Sequence, residues 1–371
     1  MNAELLRMAI SLRHELHKNA ELSNHEERTK QLLMDFIKSN TSLELHDMGA
    51  WFYAVYRAKA PRKRIAFRAD FDALPIPEGN TLPYCSLDPN VSHKCGHDGH
   101  SACLATFALQ TAKEGCENDV FFLFQNAEET GTGAKNCCPL ITSERIDEIY
   151  GFHNMPGFPL GAIMVHTGTA ACASTGLVLQ FAGKKSHASQ PEFGRNPAFA
   201  ISKLILDIPS FTKPDEHRGM LLCTVICVRI GEEAFGTNAG EGTLMLTLRA
   251  EHEDELNMLI EVIKNQAMSY CTEYGLTLSC EFRDTFPETY NHPKSAQFVR
   301  ECCKKHGIPL AAWNEPFRSS EDFGYYTKLT RGALFYVGDG ENHPALHTVE
   351  FNFPDELINT VCTVYRALAD G

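Results

Sequence analysis

No run of about 18 or more apolar residues occurs in the 371-residue chain, so no segment reads as a membrane-spanning helix. Positive charge is also scarce. The 34 lysines and arginines face 47 aspartates and glutamates, for a formal net charge of −13. So acidic a chain is a poor binder of nucleic acid, which is held by neutralising phosphates. The first stretch, MNAELLRMAISLRHELHKNAELS, is charged throughout. It lacks the basic, then apolar, then small-residue layout of a secretory signal. It reads instead as an amphipathic helix with Leu5, Leu6, Ile10, Leu12 and Leu16 on its apolar face. Internal repeats, low-complexity tracts and long linkers are absent too. The expectation is a soluble, cytoplasmic globular protein with neither a nucleic-acid nor a membrane partner.

Cysteine is not scarce: there are 14. In a long chain without an export layout, reduced thiols are expected rather than a disulfide framework. Cys137, Cys138, Cys223, Cys227, Cys302 and Cys303 sit among apolar residues and are expected to fill the core.

The length suggests two domains. Residues 3–18, 25–38 and 99–113 have helical patterns, and 51–57, 64–69, 119–125 and 148–153 read as strands. DVFFLFQ (119–125) is a near-continuous apolar run, as in a strand buried on both faces. Such alternation predicts an α/β domain with a mostly parallel sheet flanked by helices. From 176 to 282 the rhythm changes to β-α-β-β-α-β, the ferredoxin-like α+β unit. The tail returns to the first rhythm, with helices near 294–306 and 354–369 and a strand at 333–338. Residues 1–171 and 287–371 are therefore expected to form one domain, with 172–286 inserted.

Several apolar strands run into polar residues. RIAFRA leads to Asp70 and Asp72, DVFFLFQ to Asn126, Glu128 and Glu129, and EIYGF to His153 and Asn154. In open α/β sheets, ligands bind beyond the carboxyl ends of the strands, so three loaded ends suggest one shared site. HKCGHDGHSA (93–102) adds His93, Cys95, His97, Asp98 and His100 within eight positions. Thiolate and imidazole suit zinc and other first-row metals. A helix follows directly, and its N-terminus favours a thiolate. A structural zinc knuckle would need a second short-spaced cysteine pair, which is missing nearby. In the Glu128–Glu129 pair, one carboxylate can ligate a metal while the other takes a proton from the metal-bound water.

These stretches resemble the metal-dependent N-acyl-amino-acid amidohydrolases. That family includes hippurate hydrolases, aminoacylases and auxin-conjugate hydrolases, within the dinuclear metallopeptidases related to carboxypeptidase G. The resemblance runs from RHELHKNAELSNHEERT (13–29) through RADFDALPIPE (68–78), HKCGHDGHSA, QNAEETGTGA and GFHNMPGFPLG (151–161). It continues through GKKSHASQPEFGRNP (183–197) to SSEDFGYY (319–326) and LHTVEFNF (346–353).

The resemblance implies a zinc-exopeptidase-like catalytic domain holding two divalent ions, manganese or zinc foremost, with nickel and cobalt also suited. Cys95 would bridge them, His97, Glu129, His153 and His347 would complete the ligands, and Glu128 would be the general base. The insert would be a lid and dimerisation domain whose His187 polarises the scissile carbonyl, in its own or a partner's site. Asn238 and Arg249 would contact substrate. Asp72 reads as support that orients a ligand, although related aminopeptidases take a metal ligand from this segment.

Three stretches depart from the family's pattern. Asn126 replaces a usual proline, the usual Gly-Gly-His is Lys-Ser-His, and the turn after Asn238 is altered. The implied reaction is hydrolysis of an amide in a small N-acyl amino acid by a homodimer or higher oligomer. A dipeptidase or carboxypeptidase on short peptides is the alternative. A metal-free binding module is a third reading, against which stand the base and all five ligands.

Overall fold

The computed structural model describes all 371 residues. They form two compact units: Met1–Ala170 with Thr289–Pro316 and Glu321–Gly371, and Ala171–Glu288 with Phe317–Ser320.

The first unit is built on a seven-stranded sheet. Its order is Glu44–Asp47, Phe52–Tyr56, Asp119–Gln125, Arg64–Asp70, Glu148–Met155, Arg331–Gly338 and Ile163–Met164. The four strands from Asp119–Gln125 to Arg331–Gly338 are mutually parallel, and antiparallel pairing is confined to the edges. Every residue of Asp119–Gln125 is buried, as its near-continuous apolar run predicts. Asp70 pairs with Gln125, and Arg68 pairs with both Leu123 and Gly151. The residues beyond these three strands therefore emerge at one level of the sheet.

Helix His97–Glu114 is buried along most of its length, whereas Ala3–Lys18, Glu27–Asn40 and Leu357–Ala369 bury one face. The core between sheet and helices is aromatic. Phe67 meets Phe107 at 5.0 Å, Tyr365 at 4.8 Å and Tyr150 at 6.0 Å between ring centroids.

Three features escaped the sequence pattern. The edge strands Glu44–Asp47 and Ile163–Met164 are too short to show a period. Helix Gly133–Ser143 carries Pro139 in its interior, which argues against a helix, yet it forms because Ala134, Cys137, Leu140 and Ile141 are buried against the core. In the N-terminal helix, Arg13 and His17 are fully buried beside Leu12 and Leu16. All 14 cysteines are free. Cys137, Cys302 and Cys303 are buried as expected, while Cys138, Cys223 and Cys227 are only half-buried.

The second unit runs Ala173–Ala182, helix Ala198–Phe211, Leu221–Ile230, Glu241–Ala250, helix Glu253–Tyr274 and Thr277–Phe286. Its four strands are antiparallel in the order Leu221–Ile230, Glu241–Ala250, Ala173–Ala182, Thr277–Phe286. Burial along Glu241–Ala250 alternates residue by residue, so Leu244, Leu246 and Leu248 face a core shared with Leu204 and Leu259. The longer helix begins with Glu253, Asp254 and Glu255, which suit its positive end, and stops at Gly275 in the left-handed conformation.

Phe67 is the aromatic hub of the first unit's core, so Phe67→Ala is expected to destabilise the chain by about 3–5 kcal/mol. Urea denaturation of parent and variant measures this.

Candidate metal centre

Cys95 and His97 flank Gly96, which caps helix His97–Glu114 with φ +100°. A Cβ on residue 96 would lie 2.3 Å from Asn154 Oδ1, so only glycine brings the two ligand candidates round this turn. Cys95 Sγ lies 3.3 Å from His153 Nε2 and 3.4 Å from His347 Nε2. His97 Nε2 lies 3.7 Å from Glu129 Oε1, 3.7 Å from Asp70 Oδ2 and 4.0 Å from Glu128 Oε2. His347 Nε2 is likewise 3.7 Å from Glu129 Oε1.

The donor atoms fall into overlapping groups able to hold an ion: Cys95–His97–His153, Cys95–Glu129–His347 and His97–Glu128–Glu129. Cys95 belongs to the first two. His97 Nε2 and Glu129 Oε1 are buried with no hydrogen-bond partner. Buried polar atoms are seldom left so, and these two converge with a thiol and two more imidazoles. The donor set fits divalent cations.

The far nitrogens of two imidazoles are fixed by carbonyl oxygens, which only accept. His97 Nδ1 donates to the Asp72 carbonyl at 3.0 Å, with Asp72 Oδ1 at 3.2 Å. His153 Nδ1 donates to the Asn154 carbonyl at 2.7 Å. In each neutral ring, Nε2 is thus left as a lone-pair donor facing the centre. The other oxygen of Asp72 accepts from Ser23 Oγ at 2.7 Å and Glu129 N at 3.0 Å. Both oxygens of Asp72 are therefore engaged by groups around the centre.

His347 sits on a loop with a left-handed backbone, φ +62°, and its N–H donates to the Lys94 carbonyl at 2.8 Å. Lys94 is fully buried, and its ammonium bonds Glu78 and the Phe351 carbonyl. Lys94 thus ties the His347 loop to the Cys95 turn. Sequence reasoning passed it over, although it lies inside HKCGH.

Negative charge is concentrated here. Burial, then Glu321, Glu129, Asp322 and Asp70, push the Glu128 carboxyl well above its ordinary range. Burial also lifts Glu129 to about 7, with His97 opposing and Asp72 adding. The Cys95 thiol is pushed well up by burial and then by Glu129, Glu128 and Asp70. For His97, burial works downward, but Asp70, Asp72 and Glu129 outweigh it and raise the imidazole to about 10. A divalent cation in such a field would reverse these directions, above all for the thiol.

Two of the remaining candidates from the 93–102 cluster, His100 and Asp98, are bonded into the scaffold. His100 lies between Asp70 Oδ1 at 2.6 Å and Asn154 Oδ1 at 2.7 Å. Asp98 binds His17 Nδ1 at 2.8 Å and Arg13 at 3.2 Å. His93 is buried with neither ring nitrogen partnered. Sequence reasoning also missed Arg68, which is buried among Asp70, Glu321 and Asp322. The signal was present in the stretches RADFD and SSEDF.

Residues 66–371, well over half of the chain, match the model of Peptidase family M20/M25/M40. The chain belongs to that family. The resemblance read from the motifs holds. Relatives in the family include a hippurate hydrolase of Campylobacter jejuni, 27% identical over 96% of this chain and 94% of that protein. An N-acetyldiaminopimelate deacetylase of Exiguobacterium sibiricum is 27% identical over 94% of each. A dinuclear metal-binding M20 peptidase of Bacillus subtilis shares the fold, with TM-score 0.85 and 22% identity, covering 99% of this chain and 98% of that one.

The other predicted residues of this M20 chain lie in the second unit. His187 is on the two-residue strand Ser186–His187, paired with Thr237–Asn238. Its Nδ1 accepts from the Ser189 N–H at 3.2 Å, and Ser189 Oγ lies 2.7 Å away. The Asn238 amide accepts from Asn196 at 2.8 Å and donates to Ser186 Oγ at 3.1 Å. Asn238 thus braces the strand carrying His187. Arg249 donates to the Arg318 carbonyl and, at 2.7 Å, to Ser320 Oγ.

Asp72→Asn should leave two bindable cations but weaken their affinity by about 10- to 100-fold, as loss of an orienting partner does. Metal content after dialysis measures this, and complete loss of one equivalent would make Asp72 a direct ligand.

Proposed function

We propose that the chain is a metal-dependent amidohydrolase that cleaves the amide bond of a small N-acyl amino acid. The observation that carries this reading is the convergence of Cys95, His97, Glu129, His153 and His347 on one centre, with Glu128 beside them. The names of its relatives, a hippurate hydrolase and an N-acetyldiaminopimelate deacetylase, support the substrate class.

Those five residues would hold two divalent ions, manganese or zinc, which when bound polarise a carbonyl and lower the proton affinity of water. Glu128 takes the proton of the attacking water and returns it to the departing amine nitrogen. Glu128 Oε2 lies 4.0 Å from His97 Nε2, close enough to the ligand candidates to reach a water held among them. His97 and His153 keep their rings aimed through Nδ1. His187, in its own or a partner's site, would donate from Nε2 to the carbonyl oxygen as negative charge develops there. The backbone N–H of Ser189 on Nδ1 favours the ring form with its proton on Nε2. Arg249 offers its guanidinium to the substrate carboxylate.

We further propose that the chain works as a homodimer through its second unit. The outer strand Leu221–Ile230 exposes Leu222, Val225, Ile226 and Val228 beside an unpaired backbone edge. A strand of that kind invites pairing with another copy.

Glu128→Gln should lower turnover by about 10²- to 10⁴-fold while keeping both cation equivalents. The assay is a panel of benzoyl- and acetyl-amino acids with dipeptides as the contrast, using Mn²⁺- or Zn²⁺-loaded protein. Retained turnover in Glu128→Gln rejects Glu128 as base, and preference for dipeptides rejects the N-acyl substrate class.

A further inference from the structure

Ala127 stands directly before Glu128 and Glu129, and its backbone is left-handed, φ +49°. Alanine lacks the short polar side chain that helps Asn or Asp adopt this conformation, so holding it here is costly. Such strain persists only where the surroundings enforce it.

Three buried carboxylates surround this turn, and each accepts one of its backbone N–H groups. Glu26 Oε1 accepts from Ala127 at 2.8 Å, Asp72 Oδ2 from Glu129 at 3.0 Å and Asp322 Oδ2 from Ala134 at 2.8 Å. The Ala127 carbonyl is held from the other side by Gly133 N at 3.0 Å and Thr132 N at 3.3 Å. Asp72 also orients His97, and Asp322 also pairs with Arg68. Glu26, just ahead of helix Glu27–Asn40, is the acid that grips the strained peptide itself. Burial, then the charge of Asp72, lift its carboxyl to about 7, so an acid is kept here against an electrostatic cost.

We propose that Glu26 is a positioning residue of the metal centre: its carboxyl oxygen holds the Ala127 peptide left-handed and so fixes where Glu128 and Glu129 point. The proposal rests on reading Glu128 as the base and Glu129 as a ligand. What the turn requires is an oxygen acceptor, not a charge.

The test is Mn²⁺ titration of the metal-stripped full chain by calorimetry. Glu26→Ala should weaken Mn²⁺ binding by about 10- to 100-fold. Glu26→Gln keeps an acceptor oxygen and should stay within about threefold of the parent. Ala127→Gly removes the strain, because glycine adopts positive φ freely. The double variant Glu26→Ala/Ala127→Gly should therefore bind within about threefold of Ala127→Gly alone. A role in stability alone would lower the melting temperature of Glu26→Ala while its folded fraction bound Mn²⁺ like the parent.

Parent-like binding by Glu26→Ala overturns the proposal, as does an equal loss in Glu26→Gln or no recovery in the double variant. Should Glu26→Ala fail to fold, Glu26→Gln and the double variant decide on the same criteria. A parent that binds no Mn²⁺ overturns both this proposal and the metal reading. Mn²⁺ binding without hydrolysis of any amide overturns the substrate reading alone.

Discussion

One guanidinium carries the electrostatics beneath the centre. Arg68 is 1% exposed and reaches Asp70 at 2.7 Å, Asp322 at 2.8 Å and Glu321 at 3.1 Å, while its Nε donates to Gln125 at 2.8 Å. These partners come from strands Arg64–Asp70 and Asp119–Gln125 and from the 319–326 stretch. Without the guanidinium, Glu321 and Asp322 would be buried with no adjacent cation, a situation that costs several kcal/mol per ion. From Asp70 the bonds continue through His100 to Asn154, whose side chain rests on Gly96. The charge balance at Arg68 thus reaches the turn that presents Cys95 and His97.

A second buried network does the same work from the N-terminal side. Arg13 and His17 both bind Asp98, His17 also binds Glu78, and Glu78 binds Lys94. Lys94 then holds the loop of His347 through that residue's N–H and the Phe351 carbonyl. Donors separated by some 250 positions in the chain share one point because two sets of buried ion pairs pull their segments together. The strand ends contribute direction, and the ion pairs contribute closure.

Much of this was legible in the sequence. Strand Asp119–Gln125 is a near-continuous apolar run leading into Asn126, and Glu241–Ala250 alternates, so both could be read from their patterns. Cys95 and His97 were legible because a short glycine-rich cluster before a helix constrains what can face inward. His347 was not legible from local pattern. A lone histidine in a loop has no period, and only the family resemblance pointed to it. Arg68, Lys94 and Glu26 were missed because sequence patterns treat a charged residue as exposed, and burial of a charge depends on partners that arrive from remote segments. Helix Gly133–Ser143 was missed because tertiary packing overrides the poor propensity of its Pro139.

His347 draws these threads to one consequence. It is held in a strained backbone conformation, its side chain is about half exposed at 51%, and its donor atom faces Cys95 and Glu129. The unfolded chain does not gather these donors, so any cation they take is bound by the folded state. Folding and metal occupancy then become linked equilibria. The chain would then resist heat better as the free cation concentration around it rises.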